Sequence, residues 1–126
     1  MDEKSIAALQ AESRAFLQEI VEANRDLNKR LADIDVCVSY EPGEDLFTLM
    51  LGDPQEALTE SIDNVFYIRV DPESLAIVGI EVPYLSERLQ DHPDIAKLWR
   101  SATGMVGPDT KATDAFAHAL QALVTA

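Results

Sequence analysis

Cys37, His92 and His118 are the residues of this 126-residue chain that pair a soft nucleophile with bases titrating near neutrality. A thiolate beside an imidazole would do acyl transfer, with the ring taking the thiol proton. Cys37 sits in the middle of "DVCVSY", an alternating strand pattern in which a cysteine packs as a small apolar side chain. Neither histidine lies in a catalytic signature. His92 precedes Pro93 and reads as a helix cap, and His118 lies among alanines on the last helix. Two distant histidines and one cysteine do not make a zinc set without carboxylates, and the calcium-loop pattern is missing. Glu41, Glu44 and Asp45 in "YEPGEDL" offer hard oxygen ligands, but a solvated acidic turn accounts for them. "ATGMVGP" lacks the lysine of a phosphate-binding loop. No cofactor or metal is expected. If a ligand pocket exists between sheet and helices, Tyr67, Arg69, Cys37 and His92 are the polar residues to line it.

The elements that would position these groups follow from hydrophobic period. Ile6, Leu9, Phe16, Ile20, Leu27 and Ile34 recur at steps of three and four and their sums, which predicts one long amphipathic helix over residues 1–33. About 28 helical residues span about 40 Å, whereas a compact body of this size is about 35 Å across. A stripe of that length outruns a small sheet, so Ile6, Leu9, Phe16, Ile20 and Leu27 are expected to form the interface of a homodimer.

Residues 34–82 change to period two. Ile34, Val36 and Val38 alternate with polar neighbours, "EPGE" supplies turn chemistry, and Phe47, Leu49 and Leu51 alternate in reply. A two-residue turn at Pro42 and Gly43 would set Val38 against Phe47 and Val36 against Leu49. "EALTESI" reads as a short polar strand. In "NVFYIRVDPESLAIVGIEV", pairing Ile68 with Val78 and Phe66 with Ile80 gives an apolar face and sets Gly79 opposite Tyr67. Arg69 and Glu81 then fall on the outer face as ordinary polar residues. Residues 83–126 predict two helices, one begun at Pro93 and one capped by Asp109 or Thr110, with "GMVGP" as the loop between them. The fold expected is α+β in a single domain: a long first helix, an antiparallel meander of three to four strands, and two C-terminal helices packed on the sheet.

Charge is uneven. The chain carries a net charge of −13, and residues 34–92 hold thirteen acids against two arginines, Arg69 and Arg88. That field repels nucleic-acid phosphates and anionic lipid, so neither is an expected partner, whereas a basic protein would be drawn in. One cysteine gives no internal disulfide, the opening "MDEKSIAALQ" is not a secretory leader, and no apolar run is long enough for a membrane span. The cytoplasm is the expected compartment.

Tyr40, Pro42, Asp45, Leu51, Glu60, Val65, Asp71 and "IVGIEV" at 77–82, followed by "YLSERL", carry a resemblance over residues 36–89. The segment resembles the small bacterial family catalogued as domain of unknown function 2283. That resemblance implies an antiparallel meander and brings no catalytic residues. Some members of the family look like the smaller half of toxin–antitoxin gene pairs, which implies an antitoxin-like role. The chain departs from the family pattern in its extra helices and in "PESLA", where an aspartate-glycine turn is usual. The expected function is therefore a non-catalytic interaction or regulatory protein with an acidic surface, the alternative being a small-ligand binder or enzyme.

Overall fold

The computed structural model describes residues 14–105 and 107–125. It is α+β, with six strands where three to four were expected. These are β1 (Asp35–Glu41), β2 (Leu46–Leu51), β3 (Leu58–Ile62), β4 (Phe66–Val70), β5 (Ile77–Val82) and β6 (Gly107–Lys111). They form one antiparallel sheet in the order β3-β4-β5-β2-β1-β6. Helix α1 is described over 14–23, α2 is Leu27–Arg30, and a 3-10 turn follows at Leu31–Asp33. Three helices close the chain: α3 (Leu85–Asp91), α4 (Pro93–Ala102) and α5 (Asp114–Thr125).

The helices pack on one face of the sheet. Inward strand residues such as Val36, Val38, Phe47, Leu49, Ile68, Val70, Ile80 and Val82 are buried with Leu27, Leu31, Leu85, Ile95, Leu98, Phe116 and Leu120 from the helical layer. Full burial of each large aliphatic side chain here contributes about 1.5–3 kcal/mol before entropy is counted. Trp99 meets Tyr40 and Phe47 edge-on, with ring centroids 5.4 and 5.0 Å away, and so bridges α4 to the hairpin of β1 and β2.

The first helix does not run straight through. It breaks at Asn24–Asp26, and the break follows from one buried side chain. Asn24 lies on the stripe Ile20, Asn24, Leu27, Leu31 and is 1 % exposed. Its Nδ2 donates to the carbonyls of Ile20 and Leu75, both at 2.8 Å, and its Oδ1 accepts the Ile77 amide at 2.9 Å. The bond back to Ile20 competes with helix continuation. The Asn24 carbonyl accepts Gln121 Nε2 at 2.9 Å, and Gln121 Oε1 accepts the Asn28 amide at 2.8 Å, so α5 grips the same bend. Turning there lets Leu27 and Leu31 enter the core beneath the sheet, at 1 % and 0 % exposure. A straight rod would carry them past it.

Both hairpins form with registers two residues from those the pattern predicts. In the first, Tyr40 faces Phe47 and Val36 faces Leu51, around a four-residue loop, 42–45, instead of Pro42 and Gly43 alone. The reason is Asp45, which takes φ 52° and adds to the turn. A slip of two keeps every side chain on its face, so the inward set is unchanged. In the second, Ile68 faces Ile80 and Arg69 faces Gly79, and Val78 is a bulged extra residue. Gly79 therefore lies beside Arg69, not Tyr67: a Cβ built on it would sit 3.6 Å from Arg69 Cδ and 3.1 Å from the Leu49 carbonyl oxygen. Of the loop expected at "GMVGP", Gly104 and Met105 end a 3-10 turn and Gly107 and Pro108 open β6, which runs on through the expected helix cap and pairs with β1. Helix α5 begins at Asp114, with Thr113 Oγ1 accepting the Phe116 amide at 3.2 Å, four residues beyond the cap expected at Asp109 or three beyond Thr110.

Replacing Asn24 with alanine strands the Ile77 amide and the Leu75 carbonyl in the interior, while the Ile20 carbonyl keeps the Asn24 backbone amide, a loss of about 2–4 kcal/mol. Urea denaturation of Asn24→Ala should show that loss, and Asn24→Asp, which keeps the acceptor but turns a charge on two carbonyls, should lose at least as much. A loss below about 1 kcal/mol for both would mean the clasp is incidental.

Candidate functional site

One face of the sheet is left uncovered by the described residues, and there side chains are free to meet a partner. Its registers set two cross-strand rows. One runs Thr59, Arg69, Gly79, Met50, Cys37, and the other Ser61, Tyr67, Glu81, Thr48, Ser39. Apart from Gly79 these residues are half-buried or exposed, and Tyr67 is 39 % exposed. Cys37 and Arg69 share a row but stand three strand spacings apart, about 14 Å. His92 lies on the helical side between α3 and α4, lining a hollow with Asp63, Asp94 and Leu123. The four residues expected to line a pocket are thus not brought together.

The residues expected at a dimer interface are differently placed. Ile20 and Leu27 are 2 % and 1 % exposed within the chain's own core, and Phe16 is half-buried against it. They are spent on internal packing because the bend at Asn24 folds their stripe beneath the sheet. Ile6 and Leu9 lie outside the described residues.

Two polar clusters draw the eye, and each holds a turn. Tyr40 donates its hydroxyl to Asp45 Oδ1 at 2.6 Å, Ser86 donates its amide to Asp45 Oδ2 at 2.9 Å, and the Ser86 hydroxyl lies 3.1 Å from Oδ1. The Asp45 carbonyl also accepts the Leu85 amide at 3.0 Å. One residue of the β1–β2 turn therefore caps α3 from across the molecule, while Tyr84, the residue before the helix, has no side-chain cap. The Tyr40 and Ser86 bonds hold the Asp45 carboxyl below its ordinary 3.8, and the same Asp45 bond pushes the Tyr40 phenol up.

Asp71 organises the β4–β5 loop in the same way. Its Oδ1 accepts the amides of Glu73 and Ser74, both at 2.9 Å, and its Oδ2 accepts Gln55 Nε2 at 2.8 Å. The Ser74 and Glu73 amides draw its carboxyl down. This Asx-type turn is followed by Leu75 at φ 62°, which closes the loop without a glycine. Arg30 reaches over the loop to donate to the Ile77 carbonyl at 2.6 Å, and burial pulls its guanidinium down.

Among the described residues no group of three His, Cys, Asp or Glu side chains is placed to hold a metal ion. Among the described residues no helix is long and apolar enough to cross a membrane. What remains distinctive is charge. Of the thirteen acids in 34–92, only Asp35 has a basic partner among the described residues, Lys111 at 2.8 Å. Both arginines of that segment are turned to their own chain: Arg69 lays its stem along Gly79, and Arg88 donates to the Asn64 carbonyl at 3.4 Å. Comparisons of the chain with protein-family models, with curated proteins and with solved structures find no match.

Asp45 also sets a pH dependence. Its folded carboxyl binds a proton less readily than the unfolded one, so its stabilisation is complete above the unfolded value and is lost as pH falls through the lower folded value. The stability difference between wild type and Asp45→Asn should be largest at neutral pH and shrink below about pH 4. Urea midpoints measured from pH 7 to pH 2.5 check this, and a difference constant over that range would contradict it.

Proposed function

We propose that the protein is a non-catalytic binding protein whose partner is a basic protein held against the acidic sheet body. The observation that carries this reading is the unneutralised charge of residues 34–92 on a sheet with one face uncovered. Carboxylates within a Debye length of one another, about 8 Å at physiological salt, repel, and a fold keeps that cost only as long as it stays small. A cationic surface relieves it on docking, and the shared field speeds the encounter.

The uncovered face has the mixed character of a docking surface. Met50 and Val78 lie half-buried near its middle, Glu81 and Thr48 beside them, Leu46 at the β2 end, and Tyr67 gives an aromatic edge. The polar clusters that could have been read as chemistry are satisfied by their own chain, which favours binding over catalysis. The resemblance of residues 36–89 gives the proposal a biological form, an antitoxin-like protein that occupies a basic partner. A dimer through the first helix is not included, because Ile20 and Leu27 are already used within the core.

The test is copurification from the native host with mass spectrometry, followed by binding of the purified pair. The partner should be basic, affinity should fall by about tenfold or more between 0.05 and 0.5 M salt, and Glu81→Lys should weaken binding by about tenfold with the fold retained. A partner that is acidic, or an affinity indifferent to salt and to Glu81→Lys, would sink the proposal.

A further inference from the structure

The two edges of the sheet are built differently. β6 carries Pro108, which has no amide hydrogen to offer, and its pairing with β1 is broken by a bulge. β3 has neither protection. It pairs with β4 over five unbroken positions, Leu58 to Val70 through Ile62 to Phe66, and no strand lies on its other side among the described residues. In an antiparallel strand every second residue turns its amide and carbonyl away from its neighbour, so β3 presents an unpaired hydrogen-bonding edge.

The side chains of that edge specify what would pair with it. Leu58, Glu60 and Ile62 share the helix-side face, with Leu58 43 % exposed. Ile62 borders two hollows of about 200 and 230 Å³ that open beneath the strand beside Phe66 and Leu123. The other face offers only Thr59 and Ser61. From residue 53 to residue 64 the chain has four acids, Asp53, Glu56, Glu60 and Asp63, and no base.

We infer that β3 is a docking edge to which an extended basic segment of a partner protein adds as a seventh strand. Main-chain hydrogen bonds to the free edge supply affinity, as in other cases of strand addition. Apolar side chains two residues either side of a central lysine or arginine lie over Leu58 and Ile62 and reach the hollows beneath. The central cation meets Glu60, and cations two residues further out meet Glu56 and the tip of the turn at Asp63. A second copy of this chain fits poorly, since pairing centred on Glu60 sets Glu60 against its own image, and like charges directly opposite are destabilising. The inference rests on the reading that the partner is basic and adds to the open face around Glu81 a second contact, the edge that takes an extended segment of that partner.

The probe is a nine-residue peptide, Lys-Thr-Val-Thr-Lys-Thr-Val-Thr-Lys, whose sequence is the same in both directions. Three comparisons accompany it: the analogue with glutamate for lysine, the lysine peptide N-methylated at alternate residues, and the lysine peptide with Glu60→Lys protein. Amide hydrogen exchange and NMR shifts are read on the full chain. In the free chain the outward amides of Leu58–Ile62 should exchange rapidly, and the lysine peptide should slow them by about tenfold or more. The glutamate and N-methylated peptides should not, and Glu60→Lys, with the spectrum of the sheet core unchanged, should weaken the lysine peptide by about tenfold.

Edge amides already slow in the free chain would overturn the inference, showing the edge occupied by a second copy or by residues 1–13, which light scattering tells apart. Lysine peptide that binds but shifts Thr48, Met50 and Glu81, or that tolerates N-methylation, would overturn the edge and leave the basic-partner reading standing. Equal binding of the lysine and glutamate peptides would overturn both. No saturable binding of the lysine peptide would overturn the edge.

Discussion

Asn24 is the constraint on which the architecture turns. A fully buried amide must find partners for two donors and an acceptor, and this one finds them in three separate stretches of chain: the end of α1, the β4–β5 loop at Leu75 and the start of β5 at Ile77. Each bond alone is worth about 1 kcal/mol, but leaving any of them unmade costs more than making it gains. Local and global preferences meet at this residue, because the bend that satisfies Asn24 is also the bend that brings Leu27 and Leu31 into the core.

From that bend follows the one-sided arrangement of the molecule. With the first helix folded back, α1 to α5 share the helical layer, and among the described residues no helix covers the opposite face of the sheet. The polar residues that look most like a site are spent on joining these parts. Asp45 ties the first hairpin to α3, and Asp71 shapes the loop whose Leu75 carbonyl reaches Asn24. Apart from Asp35, paired with Lys111, the carboxylates of residues 34–92 have no cationic partner among the described residues. A fold held by a deep apolar layer and a few saturated polar joints tolerates that charge on its surface, and function is then a matter of what the charge attracts.

The inward strand residues and helical stripes were legible because burial obeys period: Val36, Val38, Phe47, Leu49, Ile68 and Ile80 are inward in the sequence pattern and in the structure. The registers were not, since a slip of two residues leaves that pattern intact and the choice falls to the turns. Only at the β5 bulge does the pattern fail, where Val78, expected inward opposite Ile68, turns to the open face and Ile77 is buried in its place. Asp45 and Leu75 in the left-handed region lengthen those turns, and no simple propensity assigns a leucine there. The long helix was misjudged at Asn24, where a polar residue on the stripe was a visible signal that a helix-wheel reading passes over. β6 was hidden because "GPDTK" has no alternating apolar residues; the sheet edge and a bulge decide it. Of the candidate site, the acidity was legible from composition alone. The open face and the free edge at β3 depend on strand order, which period cannot supply.

The amide of Ile77 reports most directly on the joint at Asn24, because its hydrogen is held by the Asn24 side chain at the first residue of β5. Site-resolved hydrogen exchange should show it opening only with the sheet core, as slowly as the amides of Ile68 and Ile80. Exchange of Ile77 at the rate of the exposed loop amides of Glu73 and Ser74 would mean that the buried asparagine does not lock the first helix to the sheet, and the account built on it would fail.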